Sequence, residues 1–240
     1  MSLFDIQGKT VLITGASSGI GKEIAIQCSK AGANVIITGR DHNRLLETID
    51  NMKSGISYIC NLSDENDISE LVNKLPSLDG VIFCAGISEY LPIKFVNKNR
   101  IHGIFSVNFD SQVILTQQLT KHKKINKNAS LIYISSIASK LGVSGTAMYA
   151  SSKAALNAYM KVTASELASQ NIRANSICPG IVITPMGEKA QSMSDEIEND
   201  YPLGLGQPID VAGPCIFLLS AASKWITGTE LIIDGGLTLK

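Results

Sequence analysis

Tyr149 and Lys153, in the stretch YASSK, put a phenol and an ammonium four positions apart in a segment of helical pattern. Side chains at that spacing lie one above the other on the same helix face, so their charges act on each other. The chemistry on offer is proton transfer: a free phenol titrates near about 10, and a neighbouring cation favours its ionised form and brings it toward the range of effective general acid–base catalysis. The same pair also arises on solvated helix surfaces, so it acquires a task only if other residues converge on it. A second candidate is TGASSGIG, residues 14–21, which follows the first apolar run and opens a helical segment. There Gly15 permits a tight turn, Gly19 lets the backbone approach a phosphate, and Gly21 lets helix and strand pack closely. The helix N-terminus then presents N–H groups and a partial positive charge to a pyrophosphate. Its G-x-x-x-G-x-G spacing departs from the common G-x-G-x-x-G fingerprint, and any tight strand-to-helix turn can use glycines. The position at the first strand–helix junction is what points to a dinucleotide.

These groups need a frame. Seven short apolar runs read as strands, at 9–14, 33–38, 56–60, 79–84, 130–135, 172–178 and 230–234, and helical segments fall near 19–31, 42–53, 64–75, 97–122, 147–170 and 208–220. The alternation predicts a single α/β domain over residues 1–240, a doubly wound parallel sheet with helices on both faces, because parallel strands need long crossovers that cover the sheet. Residues 184–207 break the rhythm: they are polar, rich in Gly and Met, and too long for a plain connection, so they are expected to form a lid or binding loop.

Composition excludes several classes. The 240 residues carry 21 basic and 21 acidic side chains, so no global field favours nucleic acid or an anionic membrane surface. Five scattered cysteines without a CxxC read as free thiols of a reducing compartment, not as disulfides or a metal site. No apolar run approaches the roughly 20 residues of a membrane helix, and a soluble, cytoplasmic protein is expected.

The end of the second strand should distinguish the two nicotinamide cofactors. A carboxylate there would bond the adenosine ribose hydroxyls, whereas a basic group would meet a 2′-phosphate. The sequence reads Thr38-Gly39-Arg40. Glycine replaces the carboxylate and Arg40 offers a planar fork suited to phosphate, which favours NADP(H); the alternative is a solvated loop charge beside Asp41.

With TGASSGIG, CAG (84–86), VNFDS (107–111), ISSIAS (134–139), YASSK (149–153), NSICPGIVITPM (175–186) and ITGTELIIDGG (226–236) in this order, the chain resembles the short-chain dehydrogenase/reductase family from Lys9 to its end. Within that family it is most similar to the bacterial 3-oxoacyl-[acyl-carrier-protein] reductases. The resemblance implies a Rossmann-type fold and a catalytic set of Asn108, Ser136, Tyr149 and Lys153, with Ser135 as the rival serine. It implies cofactor contacts from Gly15, Ser17, Ser18, Gly19, Ile20 and Gly21, with adenine at Asn61 and Leu62. The ribose would lie along Cys84, Ala85 and Gly86, the nicotinamide carboxamide along Pro179, Gly180, Val182 and Thr184, and Tyr149 and Lys153 would also touch the cofactor.

Three positions depart from the family pattern: Cys84 where an asparagine usually bonds across the central strands, Asn61 for aspartate, and Ser18 for a basic residue. On this resemblance the reaction is reduction of a ketone to a secondary alcohol. Ser136 would bond the substrate oxygen, Tyr149 would donate the proton, and Asn108 would anchor a water linking Lys153 to solvent. The basic stretch KHKKINK (121–127), and Lys127 in particular, is expected to receive an acyl carrier protein or else to be a solvated helix end. Free ketones, sugars or polyols remain alternative substrates, a non-catalytic NADPH-binding module a further one, and a homotetramer is implied.

Overall fold

The computed structural model describes residues 2–187 and 197–239. Seven parallel strands form one sheet in the order β3-β2-β1-β4-β5-β6-β7. They are β1 Thr10–Thr14, β2 Asn34–Gly39, β3 Ile56–Ile59, β4 Leu78–Phe83, β5 Ile125–Ile134, β6 Arg173–Pro179 and β7 Glu230–Ile233. Between them run α1 Gly19–Lys30, α2 His42–Asp50, α3 Glu65–Lys74, α4 Lys98–Phe105, α5 Ser111–Lys121, α6 Ala147–Leu167 and α7 Pro208–Leu219. The order reverses at β1, which pairs with β2 on one side and β4 on the other. In open α/β sheets a crevice forms outside the carboxyl ends of the strands at such a switch point.

Alternation along the strands makes two cores. Val11 and Ile13 of β1 pack with Ile24 and Cys28 of α1 and with Val211 and Cys215 of α7 on one face, while Leu12 packs with Ile68 of α3, Leu115 of α5 and Leu156 of α6 on the other. The side chains of the central strands thus find apolar cover, worth about 1.5–3 kcal/mol for each fully buried Leu, Ile or Val, while Ile56 and Ile59 of the edge strand β3 stay exposed. All five cysteines are free thiols, and among the described residues no group of acidic, His or Cys side chains could hold a metal. No helix among them is long and apolar enough to cross a membrane.

Two elements differ from the sequence expectation. β5 begins at Ile125 and not near residue 130, because Leu78 pairs with Ile125 and the Leu78 N–H donates to the Lys124 carbonyl. The basic stretch 121–127 therefore crosses from the end of α5 into a strand, with Lys123 in a left-handed turn at φ 53° and the Lys124 ammonium bonded to the Leu75 carbonyl. Lys127 stands near the amino end of β5 and Ser136 just past its carboxyl end. A bulge shortens this run, since Ile125 and Ser130 oppose Leu78 and Gly80, and from Ser130 onward six residues at about 3.3 Å each span roughly 20 Å, so this patch lies toward the other end of the sheet from the crevice of its own subunit. The expected long helix at 97–122 is also interrupted, by a π-helical turn at Ser106–Asp110. Such turns re-aim side chains and recur at functional sites. Of the expected lid, residues 188–196 lie outside the described residues. The flanking chain is tied back: Ile183 N–H donates to Gly206 O and Gly206 N–H to Ile181 O.

Candidate active site

The glycine turn meets the turn after β4 backbone to backbone. Gly15 has φ +67° and Gly19 φ +53°, the left-handed region that a Cβ disfavours. A Cβ on Gly15 would stand 2.7 Å from the Ala85 Cα, and one on Gly21 would stand 2.4 Å from the Gly15 carbonyl oxygen. Neither neighbour can yield, so the three glycines let β1, α1 and the 84–86 turn converge into a cradle without side chains. Ser18 caps α1 in extended conformation and spends no side-chain hydrogen bond on the helix, so its hydroxyl is available to an anion at the helix start, where N–H groups favour one. A dinucleotide fits this cradle. Gly15→Ala is expected to cost about 1–3 kcal/mol of stability from backbone strain and to weaken nucleotide binding at least about tenfold by displacing Ala85, the tenfold corresponding to about 1.4 kcal/mol. Unchanged NADPH titration curves would contradict this packing argument.

One cleft of about 630 Å³ gathers nearly all the sequence candidates. The cradle residues Gly15, Ser17, Ser18, Gly19, Ile20 and Gly21 form its floor, with Arg40 at one end and Asn61 and Leu62 beside it. Cys84, Ala85 and Gly86 form one wall, and Pro179, Gly180, Val182 and Thr184 the other. The two sides meet where a Cβ on Gly19 would lie 3.2 Å from the Thr184 methyl. Asp41 caps α2 by accepting from the Arg44 N–H and pairs with the Arg44 guanidinium at 3.5 Å, so Arg40 is not neutralised by its acidic neighbour.

At the opposite end Ser136, Tyr149 and Lys153 converge. Ser136 follows β5 directly and starts the short turn Ile137–Ser139, while Tyr149 and Lys153 stand on the first turns of α6. The Ser136 hydroxyl interacts with the phenol, whereas Ser135 is buried and donates to the Lys153 carbonyl at 3.3 Å. Lys153 Nζ lies 5.9 Å from the Tyr149 ring centroid and donates to the Ile134 carbonyl at 2.8 Å. Asn108 does not line the cleft but stands behind it. Its Oδ1 accepts from the Ile87 N–H at 2.8 Å, and its Nδ2 donates to the Ile87 carbonyl at 2.9 Å and to Ser152 Oγ at 3.1 Å. Both amide hydrogens are therefore engaged within the protein, so a water on Asn108 would have to use its oxygens.

The electrostatics bear on one expectation. Lys153 and an oxidised nicotinamide ring together were expected to make the phenol more acidic, and the lysine does not do so alone. Instead burial pushes Tyr149 up to about 12, opposed by its hydrogen bond with Ser136. Burial likewise brings Lys153 down to about 8. Each group is shielded from water more strongly than it is helped by the other, since the ammonium is turned toward Ile134 rather than the phenolic oxygen. Lowering the phenol pKa needs a further positive charge in the cleft.

The family model described as enoyl-(acyl carrier protein) reductase matches residues 15–238. The chain belongs to the short-chain dehydrogenase/reductase family. It is 35% identical over 241 residues to a 3-oxoacyl-[acyl-carrier-protein] reductase of Rickettsia felis, covering 99% of this chain and 100% of the relative. It is also 30% identical to an NADP(+)-dependent L-rhamnose 1-dehydrogenase of Thermoplasma acidophilum, over 99% of each chain. Among solved structures, one assigned as an NAD(P)-dependent gluconate 5-dehydrogenase of Beutenbergia cavernae, with NADP bound at low occupancy, superposes with a TM-score of 0.92 at 29% identity over 100% of both chains.

Several cleft residues of this short-chain dehydrogenase/reductase were not singled out from its sequence. Arg44 joins Arg40 at the adenosine end; its place one helical turn beyond Arg40 was a readable signal. Thr14 ends β1, and its hydroxyl accepts from the N–H groups of Cys84 at 3.0 Å and Ala85 at 3.1 Å. That bond fixes the turn in which the family's asparagine is replaced by Cys84, whose thiol burial pushes up to about 12 and so keeps protonated. Tyr90, Leu141, Val143, Ile181 and Met186 are among the others that line it. They sit in loops, where no periodicity marks them. The Tyr90 loop and the 141–146 loop close on each other through a Leu91 N–H to Gly145 carbonyl bond of 2.8 Å.

Proposed function

We propose that this oxidoreductase uses NADPH to reduce the ketone of a 3-oxoacyl thioester to a secondary alcohol. The carrying observation is the set of apolar side chains in the cleft, Ile137, Ala138, Leu141, Val143, Ile181 and Met186, which outnumber the polar Ser88, Tyr90, Thr146 and Tyr201 beside them, while Arg40 and Arg44 stand at the other end from Lys153. An acyl chain gains from such walls, whereas each hydroxyl of a sugar or polyol would need a polar partner there.

The chain's own groups then have these tasks. The cradle holds the pyrophosphate and the two arginines meet a 2′-phosphate. NADPH, when bound, supplies the hydride. Ser136 donates a hydrogen bond to the carbonyl oxygen as negative charge develops, Tyr149 gives it a proton, and Lys153 holds positive charge beside the phenol. Asn108 fixes Ile87 and Ser152 and thereby the start of α6. A homotetramer agrees with exposed apolar residues on the faces that would pair, Ile101 on α4, Val162 on α6 and Ile232 on β7.

The test is NADPH consumption with acetoacetyl thioesters, free and carrier-linked, beside a panel of free ketones, and NADP-dependent oxidation of sugars and polyols. Turnover on thioesters at least about tenfold above the other substrates, about 1.4 kcal/mol of discrimination, is expected. Turnover confined to sugars or polyols would reject the thioester, and tight NADPH binding without any turnover would leave a binding module.

A further inference from the structure

Gln112 lies on α5 one turn past Asn108 and is fully buried. Its Nε2 donates to the Ala85 carbonyl at 3.1 Å and to the Asn108 carbonyl at 2.9 Å. Both neighbours can only accept, so the amide must face them through its nitrogen. Its Oε1 is buried without a partner among the described residues. An unpaired buried acceptor is costly, and packing alone would be met by an apolar side chain such as Leu115 or Leu119 of the same helix. The residue type is explained by the two carbonyls it joins. One belongs to the wall of the dinucleotide cleft and the other to the π-helical turn that carries Asn108.

We propose that Gln112 is a positioning residue that fastens the 84–86 turn to α5 and so sets the width of the NADPH cleft; this rests on the NADPH reading given above. The turn is gripped at both flanks of Gly86, at Ala85 by Gln112 and at Ile87 by both polar ends of the Asn108 side chain. Thr14 holds it from β1 on the other side. The clearance is small: a Cβ on Gly86 would stand 3.3 Å from Asn108 Oδ1 and 3.4 Å from Lys153 Nζ. Cys84, with a protonated thiol, offers no amide for this work, and the tether comes instead from the helix packed behind the turn. Releasing Ala85 would let the wall drift toward or away from the cradle, which it already touches at Gly15.

The experiment compares Gln112→Met, which keeps the length and loses both donors, with Thr116→Val. Thr116 donates to the Gln112 carbonyl at 2.7 Å and bonds the Tyr133 hydroxyl at 3.0 Å, so its loss removes buried hydrogen bonds from the same helix without touching the turn. NADPH dissociation constants from nucleotide fluorescence are read beside melting temperatures. Gln112→Met is expected to weaken NADPH about tenfold, equivalent to about 1.4 kcal/mol, and to raise the KM for NADPH more than it lowers kcat. Thr116→Val should stay within about twofold while losing comparable thermal stability. Equal weakening in both variants would reduce Gln112 to a general stabiliser, and weakening in neither would remove the role. If Gln112→Met does not fold, Gln112→Asn, one methylene too short to span both carbonyls, replaces it with the same outcomes. A wild-type protein that fails to bind NADPH overturns the proposed function and this role with it; wild-type binding matched by Gln112→Met overturns this role alone.

Discussion

Tyr149→Phe is expected to lower kcat for ketone reduction by about 10³-fold or more while leaving the NADPH dissociation constant within about twofold, general acid catalysis being worth roughly 10²–10⁴. Phenylalanine retains the ring beside Lys153, the cleft wall and the helix start, so the substitution removes one oxygen and its proton. Ser136 cannot take over, because it has an ordinary alcohol's acidity and its place is beside the phenol. The pH dependence gives an independent reading. Burial holds the phenol at about 12 in the protein as described, and each unit by which a positive charge, Lys153 or the oxidised nicotinamide of the reverse reaction, brings it down represents about 1.4 kcal/mol of charge stabilisation. A proton donor must be protonated, so wild-type reduction should fall as pH rises through the phenol pKa of the ternary complex. The residual rate of Tyr149→Phe should lose that limb. Single-turnover absorbance decay of NADPH measures both, and wild-type kcat in the variant would remove Tyr149 from the reaction.

What the sequence shows of this arrangement divides along physical lines. Strands buried on both faces must be nearly continuous apolar runs, so the central strands were visible, and the glycine turn was visible because no other residue type tolerates its backbone and close contacts. β5 was read five residues short: Asn126, Lys127 and Asn128 carry no apolar alternation because the ladder bulges there, with Asn128 at φ 65°, and the Asn126 side chain is held by Asp79 at 2.8 Å. The π-helical turn was invisible because its cause is tertiary, an asparagine side chain bonded to Ile87 some 20 positions back.

The charge argument called on Lys153 and an oxidised nicotinamide ring, and its lysine half is not met for a related reason. Helical spacing puts Lys153 and Tyr149 on one face, but it cannot tell where the ammonium points, and Ile134, from another element, takes its hydrogen bond. Where local rules suffice the sequence is readable. Where a buried polar group selects its partner from a distant element, only the assembled structure shows the outcome. Gln112 belongs to the second kind, since nothing in its helical pattern marks it as facing two carbonyls.

Arg40→Asp is expected to shift the NADPH-over-NADH preference by about 100-fold or more toward NADH. A hydrogen bond to a charged group contributes about 1.5–3 kcal/mol, and the new carboxylate adds repulsion toward a 2′-phosphate while offering an acceptor to ribose hydroxyls. The geometry permits this: a Cβ at the adjacent Gly39 would meet only Ser17 and Leu45 side-chain atoms at 3.4 Å, so the strand end is not crowded. Arg44 sets the control. It is exposed and shares its charge with Asp41 at 3.5 Å, so it provides a weaker second contact, and Arg44→Ala alone should cost NADPH about five- to tenfold, or about 1 kcal/mol, and NADH nothing. Because both guanidiniums would grip one phosphate, the double variant Arg40→Asp/Arg44→Ala should lose less than the sum of the single effects. Titration with both cofactors measures all three proteins. Parallel losses of NADPH and NADH in Arg40→Asp would mean that the guanidinium supports the strand end and not a phosphate, and the assignment to NADP(H) would fall while the reductase chemistry at Tyr149 stood.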